Sequence, residues 1–131
     1  MPRLTIDSLP THTDARGVVV EPLAPHEFPA QRNAHLTVTA PGAVRGNHRH
    51  ERGTETAVVL GPALVRLRDG AETRDVTVPD GAAMRFVIPP GVAHAFQGSG
   101  PGPMLVVSFN TEPHDPAAPD VVREVLIPPP G

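Results

Sequence analysis

Four side chains of metal-binding type recur in this chain at spacings that a β-structure can bring together. His48 and His50 are separated by one residue, so on an extended strand both imidazoles leave the same face. Glu55 follows a short polar stretch, Glu51 to Thr54, that can turn the chain back into a second strand. There Glu55 shares a face with Ala57 and Val59, a carboxylate at the mouth of an apolar row. His94 comes roughly forty residues later, just past the rigid Pro89-Pro90-Gly91 turn, and shares its face with Phe96. Burying three imidazoles and a carboxylate together is costly unless a cation neutralises the carboxylate and accepts the ring lone pairs. A divalent ion does both, and this donor set suits Zn, Fe, Mn, Ni or Co. Four protein ligands complete a zinc tetrahedron, whereas six-coordinate iron or manganese would keep two positions open. A lone His-x-His on a strand is commonly a surface pair, and Pro-Gly turns are common too. The joint order and spacing carry the metal reading.

The elements that must position these residues are short. Eighteen prolines and twelve glycines are spread as punctuation between apolar runs, which leaves little room for long helices and suits strands. Strands are predicted at 18–20, 33–40, 55–60, 63–68, 74–78, 82–88 and 104–109. Gly61-Pro62 reads as a hairpin-like connection, and Asp69-Gly70 and Pro79-Asp80-Gly81 as further turns. In 63–68 the period of two puts Ala63, Val65 and Leu67 on one face and Arg66 and Arg68 on the solvent side. Residues 120–126 are readable as a short helix or as a final strand. Many short strands with frequent turns indicate an all-β sandwich or barrel. No linker or repeat divides residues 1–131, so a single domain is expected, with Pro-rich arms at 1–16 and 111–131.

Composition excludes several classes of function. There is no cysteine, hence no thiolate ligand, disulfide or thiol nucleophile. Tyr and Trp are absent and only four Phe occur, so no tyrosine serves as an acid and platforms for stacking bases are scarce. A net charge of −3 argues against a nucleic-acid partner. All eleven basic residues are arginine, a pattern that also suits phosphate or carboxylate ligands. No signal-like or membrane-length apolar run is present, and a cytoplasmic protein is the expectation.

Gly42(x5)His48-x-His50(x4)Glu55(x5)Gly61 resembles the first motif of the cupin superfamily, and Gly81…Pro89-x-Gly91-x-x-His94 resembles the second. The second departs from the pattern, with two extra residues after Gly81 and Gly98 where asparagine is usual; the ligand positions are intact. The resemblance spans residues 42–98 and implies a double-stranded β-helix, a jelly-roll-like barrel. A finer resemblance rests on Asp14-Ala15-Arg16-Gly17, Arg45-Gly46-Asn47-His48 and the stretch from Asn110 through Pro119-Asp120. These look like sugar-nucleotide cupins of polysaccharide biosynthesis, above all the C-terminal cupin half of the bifunctional capsular polysaccharide epimerase/reductase. More distant are the deoxysugar 3,5-epimerases and 3,4-ketoisomerases, which carry Arg-Gly-x-His.

That resemblance implies zinc at His48, His50, Glu55 and His94, and epimerase or isomerase chemistry on a nucleotide sugar. In metal-free deoxysugar epimerases the histidine of Arg-Gly-x-His is the base, which maps to His48; a metal-bound nitrogen of His48 has no lone pair for that task. His35 or a metal-bound hydroxide would then replace it. Arg45 is a candidate contact for a diphosphate, although strict alternation sets it opposite His48 unless a bulge forms at Gly46. His12, His26 and His114 are expected in solvated loops. The rival readings are an iron-dependent dioxygenase-type cupin and a non-catalytic cupin that binds a small molecule. A homodimer is expected from the open barrel edge.

Overall fold

Short apolar runs cut by Pro-Gly turns can bury themselves only as strands of packed sheets, and the computed structural model, which describes residues 3–130, shows two such sheets. The strands are β1 (Thr5–Leu9), β2 (His12–Asp14), β3 (Gly17–Val19), β4 (Asn33–Thr39), β5 (Val44–His50) and β6 (Glu55–Leu60). They continue with β7 (Ala63–Asp69), β8 (Glu72–Val78), β9 (Ala83–Ile88), β10 (Ala93–Gly98), β11 (Met104–Asn110) and β12 (Val121–Arg123). A 3-10 helix, Pro25–Ala30, precedes β4. One five-stranded sheet runs β1-β9-β6-β11-β4, the other β12-β5-β10-β7-β8, and β2 and β3 form a separate hairpin. Every pairing is antiparallel. This is the all-β cupin jelly roll expected from the motifs.

Alternation decides which residues meet between the sheets. Ala63, Val65 and Leu67 of β7 are buried, while Arg66 and Arg68 lie on the outer face. There Arg66 pairs bidentately with Asp75, and Arg68 with Glu124. Val59, Val65, Leu67, Phe86, Ile88 and Met104 form the centre of the core. The inner face of β11 grades from apolar to polar along its length: Met104 and Val106, then Ser108 and Asn110, all buried. β6 runs the opposite way beside it, so Glu55 lies opposite Asn110 and Val59 opposite Val106. One end of the barrel interior is therefore a dry core and the other a buried polar cluster.

One local reading changes in three dimensions and two are decided there. Gly61-Pro62 does not close a hairpin: β6 pairs with β9 and β11, and β7 with β8 and β10, so the chain crosses from one sheet to the other there. The crossing is tight, since a side chain at Gly61 would collide with the Val78 and Pro79 carbonyls. Residues 121–123 adopt the strand alternative and pair with β5. Residues 5–9 add an edge strand to β9, so segments within both Pro-rich ends extend the sheets. No helix among the described residues is long and apolar enough to cross a membrane.

Candidate metal centre

β5, β6 and β10 deliver the four expected side chains to one place. His48 and His50 come from β5, Glu55 opens β6, and His94 lies on β10 directly opposite His48. One potential ligand atom from each lies within 4.8 Å of the others. The imidazole centroids are 5.1 Å apart for His48–His50, 4.8 Å for His48–His94 and 5.5 Å for His50–His94. His50, Glu55 and His94 are buried and His48 is half-buried.

The polar atoms of the cluster fit a cation. His94 Nδ1 lies 3.0 Å from the Val92 carbonyl oxygen. A carbonyl only accepts, so Nδ1 carries a proton, and in the neutral ring Nε2 holds the lone pair. That Nε2 is buried without a hydrogen bond, 3.3 Å from Glu55 Oε1, which is also an acceptor. Two acceptors facing each other in a buried site call for a positive charge between them. The remaining contacts set the carboxylate: the His50 Nε2–H donates to Glu55 Oε1 at 2.8 Å and the Ser108 hydroxyl to Oε2 at 3.1 Å. A nitrogen-rich set with one carboxylate is chemistry suited to a borderline divalent ion.

Electrostatics follow from that crowding. Burial, aided by the neighbouring His94, pushes the His48 imidazole down to about 4, which keeps it neutral and available as a ligand at neutral pH. Burial works to raise the Glu55 carboxyl, but the charge of the His94 and His50 rings when protonated, with their hydrogen bonds, outweighs it and holds the group well below its usual range. For His50 burial works downward, and the hydrogen bond and charge of Glu55, with Asp120 behind them, leave it raised.

The bulge required to bring Arg45 round is present. His94 pairs with His48, but Ala95 pairs with Gly46 and Phe96 with Arg45, so Asn47 is the extra residue. Gly46 has φ +85° and Asn47 φ +59°. Arg45 and His35 both line a cavity of about 290 Å³ that also takes in His48, His50 and Glu55. Arg45 is held from behind, its Nε–H donating to Thr39 Oγ1 at 3.1 Å. His114, expected in a solvated arm, is exposed but stands at the wall of this same cavity.

Three residues have roles that the sequence reading did not assign. Ser108 was visible as a polar break in the alternation of β11. Asn47 closes the bulge by accepting from the Leu126 and Ile127 amides and donating to the Ile127 carbonyl. Asp120 approaches His50 from a segment seventy residues away, for which no local pattern exists.

An antiparallel jelly roll with a His-rich cluster at its polar end is a cupin. The sequence profile of the Polysaccharide biosynthesis C-terminal domain matches residues 12–122, and the chain belongs to that family. It is 28% identical to the spore coat polysaccharide biosynthesis protein SpsL of Bacillus subtilis, over 90% of this chain and 85% of SpsL. Among solved structures it is similar to the capsular polysaccharide assembling protein CapF of Staphylococcus aureus, with a TM-score of 0.68 and 25% identity. That match covers 90% of this chain and 34% of CapF, so the chain spans about a third of CapF's length. The sugar 3,4-ketoisomerase QdtA of Thermoanaerobacterium thermosaccharolyticum, solved with TDP, shares the fold: TM-score 0.67, 18% identity, 92% of this chain and 88% of QdtA.

Proposed function

We propose that this protein is a metal-binding cupin that epimerises or isomerises a nucleotide sugar in polysaccharide or deoxysugar biosynthesis. The observation that carries the reading is the orphaned, buried Nε2 of His94 facing the carboxylate of Glu55, which itself lines a cavity that also presents Arg45 and His35. His48, His50, Glu55 and His94 would hold the ion, zinc first among the candidates. When bound, the ion supplies Lewis-acid stabilisation of negative charge on a sugar oxygen.

The chain's own residues supply the rest. Arg45 offers a guanidinium suited to a diphosphate. His35, on the inner face of β4 opposite Ser108, is the candidate base for the proton next to a ketone. His48 is the alternative base only in a metal-free site, because one nitrogen cannot both ligate and abstract a proton. The Ser108 hydroxyl donates to Glu55 Oε2 and orients the carboxylate. TDP bound to QdtA supports a nucleotide-sugar ligand here. The homodimer belongs to the same reading, supported by the unpaired outer edge of β4 and the exposed Leu36 and Val38 on it; light scattering tests it.

The deciding experiment incubates zinc-loaded protein with a TDP- or UDP-linked 4-keto sugar in D₂O. Deuterium entering beside the ketone, followed by NMR, is expected. Binding with no exchange on any such sugar would reduce the protein to a ligand-binding cupin. Oxygen uptake with Fe(II) in place of exchange would make it an oxygenase.

A further inference from the structure

We propose that Asp120 is a positioning residue for His50, fixing which ring nitrogen turns toward the cluster and which toward the C-terminal arm; the proposal rests on the metal reading above. The geometry points to it from both sides. Asp120 immediately precedes β12, whose Val121 pairs with His50 on β5. Its carboxylate reaches back over the β5–β6 turn, Oδ1 accepting the Arg52 amide at 2.8 Å and Oδ2 the Gly53 amide at 3.0 Å. The Asp120 carbonyl takes the Glu51 amide at 2.9 Å. Gly53 is what allows this approach, since a Cβ there would lie 2.9 Å from Asp120 Oδ2 and against the Asn110 side chain.

So anchored, and with its side chain 11% exposed, the carboxylate presents Oδ2 3.3 Å from His50 Nδ1. It is the one acidic oxygen within ion-pair reach of Nδ1 among the described residues, and Nδ1 is buried with no hydrogen bond of its own. On the other side of the ring, Nε2 meets Glu55. Once Nε2 gives its lone pair to an ion, Nδ1 must carry the proton, and Oδ2 of Asp120 is where that N–H points. An outer carboxylate that receives the second N–H of a ligating histidine fixes the ring's tautomer and raises its basicity. The two amide bonds alone would make Asp120 a loop anchor; the orphaned Nδ1 gives it the further role.

The test measures zinc affinity by chelator competition on folded protein, together with ¹⁵N NMR of the His50 ring in the zinc-loaded form. Wild type is expected to show a slowly exchanging Nδ1 proton. Asp120→Asn is expected to weaken zinc roughly 10- to 100-fold, and Asp120→Glu, which keeps the charge, less. Arg52→Ala loosens the arm by removing the side-chain bonds to Glu112 and the Ala118 carbonyl and the 3.6 Å ion pair to Asp120 Oδ1, while the Arg52 and Gly53 amides still hold the Asp120 carboxylate, and is expected to change affinity by less than about twofold. Equal affinity for Asp120→Asn and wild type overturns the proposal, as does an equal loss in Arg52→Ala. If Asp120→Asn does not fold, the wild-type NMR and Asp120→Glu decide: a freely exchanging Nδ1 proton overturns it. Failure of the wild type to hold zinc overturns the metal reading itself, a distinct result.

Discussion

His48 and His94 are direct cross-strand partners, their rings 4.8 Å apart and nearly perpendicular at 89°, at the last matched position before the register between β5 and β10 slips. The slip matters because an uninterrupted strand would point Arg45 away from His48. One extra residue, Asn47, returns Arg45 to the histidine side, so ion ligands and the candidate diphosphate contact share a cavity.

The bulge is therefore a sensitive spot. In Gly46→Ala the new Cβ would lie 2.8 Å from the His94 carbonyl oxygen, on a backbone with φ +85°. We expect a loss of about 1–3 kcal/mol in stability, measured by urea denaturation, and weakened metal binding with it, because His94 itself must shift.

Metal content is expected to depend on each ligand. His48→Ala removes a half-buried imidazole and is expected to fold while losing at least roughly 100-fold in zinc affinity, the upper range seen even for outer partners of metal sites. Elemental analysis after dialysis checks this; full zinc retention would remove His48 from the ligand set.

Chelation is expected to destabilise the wild type, since an ion that binds only the folded chain shifts unfolding by mass action. Free zinc at 100 times its Kd adds about 2.7 kcal/mol. Melting temperatures with and without a chelator report it, and His48→Ala is expected to be insensitive to the same treatment.

Arg45→Ala is expected to spare zinc and to weaken binding of TDP. A charge-assisted hydrogen bond contributes about 1.5–3 kcal/mol, which corresponds to roughly a tenfold to hundredfold rise in Kd. Calorimetry distinguishes this from loss of metal.

At the dry end of the barrel, Met104 is fully buried against the core, opposite Thr39 on β4. Met104→Ala is expected to cost about 2–5 kcal/mol, read as a lower denaturation midpoint, with the ligand geometry at the opposite end as a separate readout by zinc titration.

Residue type and period-two alternation already pointed to the four residues that cluster, the inward row of β7, an all-β sandwich or barrel and the lack of thiol or tyrosine chemistry, while the jelly roll followed from the resemblance to the cupin motifs. These are local properties: a side chain's face on a strand depends on its immediate backbone, and donor chemistry on the residue alone. Only the tertiary structure decided that β6 and β7 part company at Gly61-Pro62, that Asn47 is the residue that breaks the register, and that Asp120 docks against His50. Alternation says which face a residue occupies and nothing about which strand lies beside it. A one-residue bulge or a seventy-residue return is set by how distant surfaces pack, and packing is written in no short stretch of the chain.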